Sequence, residues 1–349
     1  MAPAATSMWW LSSMVGYLSL VQIIRYRRQQ KSQSLFLQAC CQDNSADATI
    51  LESAEASRTI VSTIGLWEFP LIYRKSLEFA LFRTYAIPSI SRLLANTKVF
   101  ATACGKGYDD TDLLLCELTE NPFASERSTV ALQRINAIHG MYKDKISNDD
   151  MLYVLSVFIF EPVRWIQRGE WRRLTTEECE ALFLAWKHIG TGMGIRNIPA
   201  TFHDYEAWNI AYEQKHMKYA ASNAIIGNAT MDLLLSLAPS FCHPLARNVV
   251  YCLMDSRLRV AMGFPDPPTP LQRVVDCVLQ LRAGCLRYLC LPRLFSARRT
   301  PFAASSSSSL MLCPRFHIYE RTYAKDGYQT DALGTAPKGK LLPNCPRFK

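Results

Sequence analysis

Apolar residues recur three and four positions apart through most of this chain, the spacing that gathers side chains on one face of an α-helix. The pattern sets in at Ile60 and predicts helices over residues 74–82, 89–97, 111–118 and 125–139. Ser147 followed by Asp150 reads as a cap for a helix over 148–160, and Glu161-Pro162 should end it, because a proline disfavours helical geometry in the residue before it. That helix is apolar almost all round but short for a membrane span, so it reads as a core element. Thr175-Thr-Glu-Glu178 is a capping box opening a helix through Lys187, and the period continues over 204–219, 221–236, 245–263 and 271–290. No alternating run between turn markers predicts a strand. The chain should be all-α.

The two ends depart from this pattern. No charged side chain precedes Arg25, and residues 8–24 are mainly apolar, with Trp9, Trp10, Leu11 and Val15 early and Leu20, Val21 and Ile23 late. Ser12, Ser13, Ser19 and Gln22 dilute the stretch, and Arg25, Arg27, Arg28 and Lys31 follow it. About 20 residues can cross a hydrocarbon core, and cations after the span hold the remainder in the cytosol. A cleaved signal peptide would instead carry charge ahead of its apolar stretch. Residues 1–28 therefore read as a retained single-pass anchor, suited to the thin endoplasmic reticulum (ER) bilayer. Residues 29–57 read as a polar linker, 58–268 as the helical domain, and 269–349 as a basic amphipathic segment, a Ser-rich loop and a tail laid over the domain or partly loose.

Composition narrows the class. With 349 residues, 49% hydrophobic and 20% charged, the chain can bury one generous core. Its net charge of +9 is uneven: no acid lies between Cys277 and Ile318, while Arg282, Arg287, Arg293, Arg298, Arg299 and Arg315 do. Such a segment suits anionic lipid. No nucleic-acid module accompanies it, so nucleic acid is not an expected partner. The 12 cysteines are scattered with no Cys-x-x-Cys, which points to reduced thiols and against a disulfide framework or structural zinc. The same absence means that any haem would be held non-covalently.

Candidate chemistry centres on residues 126–140. Leu132, Ile135 and His139 share one helix face, with Arg127 and Arg134 on a neighbouring stripe. A neutral imidazole facing an apolar space beside cations suits a haem, the ring on iron and the arginines on propionates. A core histidine donating to a carbonyl fits the same spacing. Glu213 and His216 share a face as in di-iron helices, but a second Glu-x-x-His is missing. Gly190-Thr-Gly192-Met-Gly194 follows a helix and reads as a helix-ending turn instead of a dinucleotide loop.

The run Asn136-Ala-Ile-His139-Gly-Met-Tyr142, then 147–156 and Phe160-Glu-Pro-Val-Arg164-Trp165, resembles the fungal ER-bound oxygenases of the mycophenolic acid MpaB type. These share a catalytic domain with the bacterial rubber oxygenases, the latex-clearing proteins. Collinear blocks follow at Trp186-Lys-His-Ile-Gly190, Tyr212-Glu-Gln-Lys-His216 and Leu253-Met-Asp-Ser-Arg257, and the resemblance covers residues 8–268. It implies an all-α, globin-like helical catalytic domain behind the anchor, with haem b held by His139 as axial iron ligand. Glu126, Arg127 and Arg134 match the family's Glu-Arg…Arg…His pattern beside the cofactor. Arg92 and Thr97 stand nearest its distal arginine and threonine, at a spacing one residue too long. Each has an ordinary reading too: a salt bridge for Arg127 or Arg134, a macrodipole partner for Glu126, a helix-end hydroxyl for Thr97. The implied reaction uses dioxygen to cleave a carbon–carbon double bond in a prenyl or terpenoid side chain of a secondary metabolite. The domain would be cytosolic at the ER membrane, where a lipophilic substrate dissolves. Two alternatives stay open at this point: a non-catalytic, membrane-anchored terpenoid- or lipid-binding protein, and a non-haem iron oxygenase using His139 and His216.

Overall fold

Helix starts fall where the sequence offers a cap. Ser125, Ser147, Thr201 and Asp255 each accept the N–H three residues on, and Thr175 with Glu178 completes a reciprocal capping box. Pro70, Pro88, Pro244 and Pro270 occupy first-turn positions, where the missing N–H costs nothing. The computed structural model describes residues 3–41, 46–301, 311–319 and 322–334. In order, its helices are α1 (Pro3–Cys41), α2 (Ala46–Thr63), α3 (Pro70–Thr84), α4 (Pro88–Thr97), α5 (Val99–Thr102), α6 (Cys104–Glu120) and α7 (Glu126–Gly140). There follow α8 (Asn148–Gly169), α9 (Thr176–Gly192), α10 (Phe202–His216), α11 (Ala221–Leu235), α12 (His243–Leu253), α13 (Ser256–Met262) and α14 (Thr269–Tyr288). Among the described residues the only β pairing is an isolated bridge between Leu312 and Tyr328. The fold is all-helical, as the periodicity requires.

Helix α8 is the axis of the core. Tyr153, Val157, Ile159, Phe160 and Ile166 are buried along it, and α3, α9 and α10 pack around it. Helix α2 lies on α9, and α6 lies on α7.

Three expectations are corrected. Helix α8 does not stop at Glu161-Pro162 but runs through the proline to Gly169. An interior proline costs about 3 kcal/mol, and buried Val163 and Ile166 beyond it supply packing that offsets the cost. The helix expected over 245–263 is two: Met254 is extended, and the Asp255 carboxylate caps α13 through the Leu258 N–H at 3.0 Å. Residues 29–57, expected as an irregular linker, are helical wherever described. Small Ala54 and Ser57 are buried on α2, so close packing replaces the apolar stripe that would have announced a helix.

The expected anchor lies within α1 as far as it is described. Among the described residues no helix is long and apolar enough to cross a membrane. From Val21 onward α1 is docked, with Val21, Arg25 and Ser32 buried and the Arg25 guanidinium stacked 4.7 Å from the Trp171 ring.

The tail lies over the domain wherever it is described. Arg299 is fully buried beneath α6, donating to Asp109 at 2.6 Å and to Asp112. Arg298 reaches the Glu120 carbonyl at 2.9 Å, and Arg282 pairs with Glu170 at 3.0 Å. Half of the six arginines expected to face lipid therefore bind the protein instead. Buried carboxylates far away in sequence, invisible to a composition count, draw them inward.

Candidate functional site

Eight helices and the tail enclose a cavity of about 370 Å³. Phe82 on α3 and Tyr85 just after it, Leu114 and Leu118 on α6, Val154 and Phe158 on α8 and Trp186 on α9 give it an apolar wall. The size and lining are those of a small-molecule or cofactor pocket.

His139 and Thr97 both line it. His139 sits in the last turn of α7, one turn beyond Ile135, which lines the same space. Burial lowers the imidazole pKa from its ordinary value, and the Ile135 carbonyl only partly opposes this. The ring is therefore neutral at physiological pH. Its Nδ1 is buried, with the Ile135 carbonyl one turn back as its polar neighbour, so one ring nitrogen has the setting of a core histidine while the ring lines the cavity. Thr97 ends α4, and its hydroxyl donates to the Leu94 carbonyl at 2.7 Å. Lys98 follows at φ 59°, turning the chain sharply into α5.

The other sequence candidates lie elsewhere. Arg92 is exposed on α4, and Glu126 is exposed in the first turn of α7, where the helix dipole favours a carboxylate. Arg127 grips buried Glu117 through Nε at 2.7 Å and also donates to the Pro301 carbonyl at 2.6 Å. Arg134 is buried and donates to the carbonyls of Leu333 and Gly334. Neither guanidinium lines the cavity. His216 is also outside it, stacked on Tyr212 with ring centroids 4.4 Å apart, and Glu213 is occupied by Arg83. Among the described residues no three His, Cys, Asp or Glu side chains converge to hold a bare metal ion. A haem would need only one protein ligand, and a half-buried neutral imidazole on the cavity wall would suit that need.

Sequence reasoning missed the polar end of this cavity. Glu78, Asp110, Tyr108 and Tyr319 line it there. Glu78 accepts from Lys75 at 2.8 Å and from the Tyr319 hydroxyl at 2.9 Å, and Asp110 accepts from Lys106 at 2.6 Å and from Tyr323. Tail tyrosines thus close the cavity by donating to carboxylates on α3 and α6. These residues are far apart in sequence and form no motif; only their convergence in space reveals them.

A helical domain with a half-buried imidazole on an apolar cavity defines the architecture of the site, and the comparisons identify the class. The family described as "ER-bound oxygenase mpaB/B'/Rubber oxygenase, catalytic domain" matches residues 116–287. The ER-bound oxygenase mpaB' of Penicillium brevicompactum is 32% identical over 304 residues, 81% of this chain and 71% of the relative. The ER-bound oxygenase mpaB of Penicillium roqueforti is 32% identical over 277 residues, 74% of this chain and 91% of the relative. The chain belongs to this family of oxygenases.

Proposed function

We propose that this oxygenase holds a b-type haem in the cavity, with His139 as its axial ligand. It would cleave a carbon–carbon double bond in the prenyl or terpenoid side chain of a lipophilic substrate, leaving carbonyl or acid products. The carrying observation is His139 itself: a half-buried, neutral imidazole on the wall of an apolar cavity. When bound, haem supplies the activation of dioxygen at iron. The chain supplies the rest. His139 holds the iron without bringing a charge into the apolar interior. Phe82, Phe158 and Trp186 give an alkene apolar surfaces to lie against and keep water out. Thr97 lines the same wall, its hydroxyl proton given to the Leu94 carbonyl, so that its oxygen could only accept from a substrate there. Propionate contacts would not come from Arg127 or Arg134 as they are placed, since both are engaged elsewhere.

The relatives' names call them ER-bound. We read the same location here, with α1 as a single-pass attachment and the domain on the cytosolic side; Trp9, Val15 and Leu20 exposed along α1 support it. The test is a visible spectrum of the purified protein. A Soret band that shifts with carbon monoxide is expected, and His139→Ala should lose both the axial-imidazole signature and at least 100-fold of turnover, roughly the loss expected when a group central to catalysis is removed. No Soret band after reconstitution with haem would remove the cofactor assignment.

A further inference from the structure

Helix α14 is amphipathic in a way that the fold leaves half used. Val275 and Ala283 are buried, Arg282 binds Glu170, and Gln280 donates to the Arg168 carbonyl, so one side is fastened to the domain. Val274, Val278, Leu281 and Tyr288 fall within one stripe of the opposite side, and all four are exposed. The chain then continues through Leu289, Leu291, Leu294 and Phe295, again all exposed, the last two at 80% and 81%.

This segment runs along the root of α1. The Tyr17 hydroxyl donates to the Leu289 carbonyl at 2.7 Å, Gln22 to that of Arg287 at 2.6 Å, Arg25 to that of Cys290 at 2.5 Å, and Arg28 to that of Arg293. Four side chains of one helix thus take the carbonyls of Arg287, Leu289, Cys290 and Arg293, while the side chains of Leu289 and Leu291 stay exposed. Before Tyr17, α1 exposes Met14 and Val15 and stands clear of the domain. The exposed apolar surface is therefore continuous from α1 through 289–295 to α14. Arg27, Lys31, Arg273, Arg287 and Arg293 are exposed around it. No acid occurs from 277 to 318, and Asp276 is held by Arg168.

A large apolar face normally marks an interaction surface. A cationic rim without acids selects its partner, because anionic headgroups attract arginine while the interfacial layer takes leucine, phenylalanine and tyrosine. We propose that segment 289–295 and the outer stripe of α14 form a second membrane contact, seated in the interfacial layer of an anionic bilayer beside the root of α1. This rests on the reading that α1 attaches the chain to a membrane. It adds that the domain itself lies on the lipid in a fixed pose. Three pieces of sequence that are individually poor membrane signals make one footprint.

The test is photo-crosslinking of the full chain in vesicles of phosphatidylcholine with 30% phosphatidylserine. A benzophenone amino acid replaces Phe295, Leu281, Val15 or Leu37 in turn. Leu37, 55% exposed, lies about 33 Å beyond Val15 on the same helix at ~1.5 Å rise per residue. Lipid adducts at 295 and 281 at no less than half the yield at 15, with at least fivefold less at 37, are the expected result. Adducts at 15 without adducts at 281 and 295 would overturn the footprint and leave the α1 attachment standing. No lipid adduct at any position would overturn both. Protein–protein adducts at 281 and 295 would assign the face to a second copy or another protein. Arg287→Gln with Arg293→Gln should lower the yield at 295 at least threefold in anionic vesicles while leaving that at 15 unchanged; an equal yield at 295 would remove the charge argument.

Discussion

At the scale of single residues, the site depends on His139 keeping a neutral ring on the cavity wall, with the Ile135 carbonyl one turn back able to hold one ring nitrogen and leave the other for a ligand. Thr97 is the contrasting case, since its single hydroxyl proton already serves the Leu94 carbonyl. Thr97→Val should leave thermal stability within about 1 kcal/mol, the net worth of one hydrogen bond. If the hydroxyl has a chemical role, turnover should still fall by at least tenfold. Unchanged turnover would reduce Thr97 to a helix-end hydroxyl. Gly194 shows what local sequence does determine. Helix α9 ends in a Schellman motif, with Gly194 at φ +73° and the Ile195 N–H donating to the Gly190 carbonyl at 3.0 Å. Gly194→Ala should destabilise the protein by about 1–2 kcal/mol, the cost of a left-handed non-glycine residue. Chemical denaturation reads this directly.

At the scale of elements, an ion cluster couples helices that the apolar pattern treats as independent. Arg83 on α3 grips Glu213 on α10 through two bonds of 2.6 and 2.7 Å, and also binds Asp255 at the head of α13. Tyr153 on α8 donates to the same Glu213 at 3.1 Å. Burial opposes ionisation of Glu213, but hydrogen bonding and charge from Arg83 prevail and lower its pKa from the ordinary 4.5. A depressed carboxylate pKa contributes stability that is complete above about pH 4.5 and is lost as pH falls through the lower folded value. Removing the arginine takes away the two main contributions that oppose burial, and burial should then raise Glu213 against the weaker pull of Arg164, Tyr153 and Arg257. Arg83→Met should therefore cost about 3–5 kcal/mol at pH 7, and the deficit relative to wild type should begin to shrink above pH 4.5, as Glu213 of the variant takes up a proton, and go on shrinking below it as wild type loses its own contribution. A deficit independent of pH would mean that lost packing, not unpaired charge, is responsible. The sequence made α7, α8 and α9 legible because their apolar stripes and caps are local signals. It made Pro162 look like an end because the packing that carries α8 past it comes from other helices. It made 29–57 look like a linker because close packing of Ala54 and Ser57 has no apolar stripe.

At the scale of the whole molecule, sequence separation hid most of what shapes the site. His139 and Thr97 were accessible to motif reasoning and line one cavity. Arg127 and Arg134 carried the right charge at the right spacing, yet their partners are Glu117 and the tail carbonyls, and neither pairing has a sequence signature. Glu78 and Asp110 gave no signal at all. The tail matters through contacts such as Gly334, which lies at φ +83° where an added Cβ would sit 2.6 Å from Ile138 Cδ1. Gly334→Val should loosen the tail from α7, lower the thermal midpoint by several degrees for about 1–2 kcal/mol lost, and speed backbone hydrogen exchange across 322–334. Unchanged exchange there would show that the strap holds without this contact.

Because Tyr319 and Gly334 complete the cavity wall, its last surface comes from a segment synthesised after every helix around it. Were the helices to pack in the order of their synthesis, the chamber would stand open on one flank until the C-terminal segment docked and its tyrosines met their carboxylates, and a ligand too large to slip between packed helices would enter then.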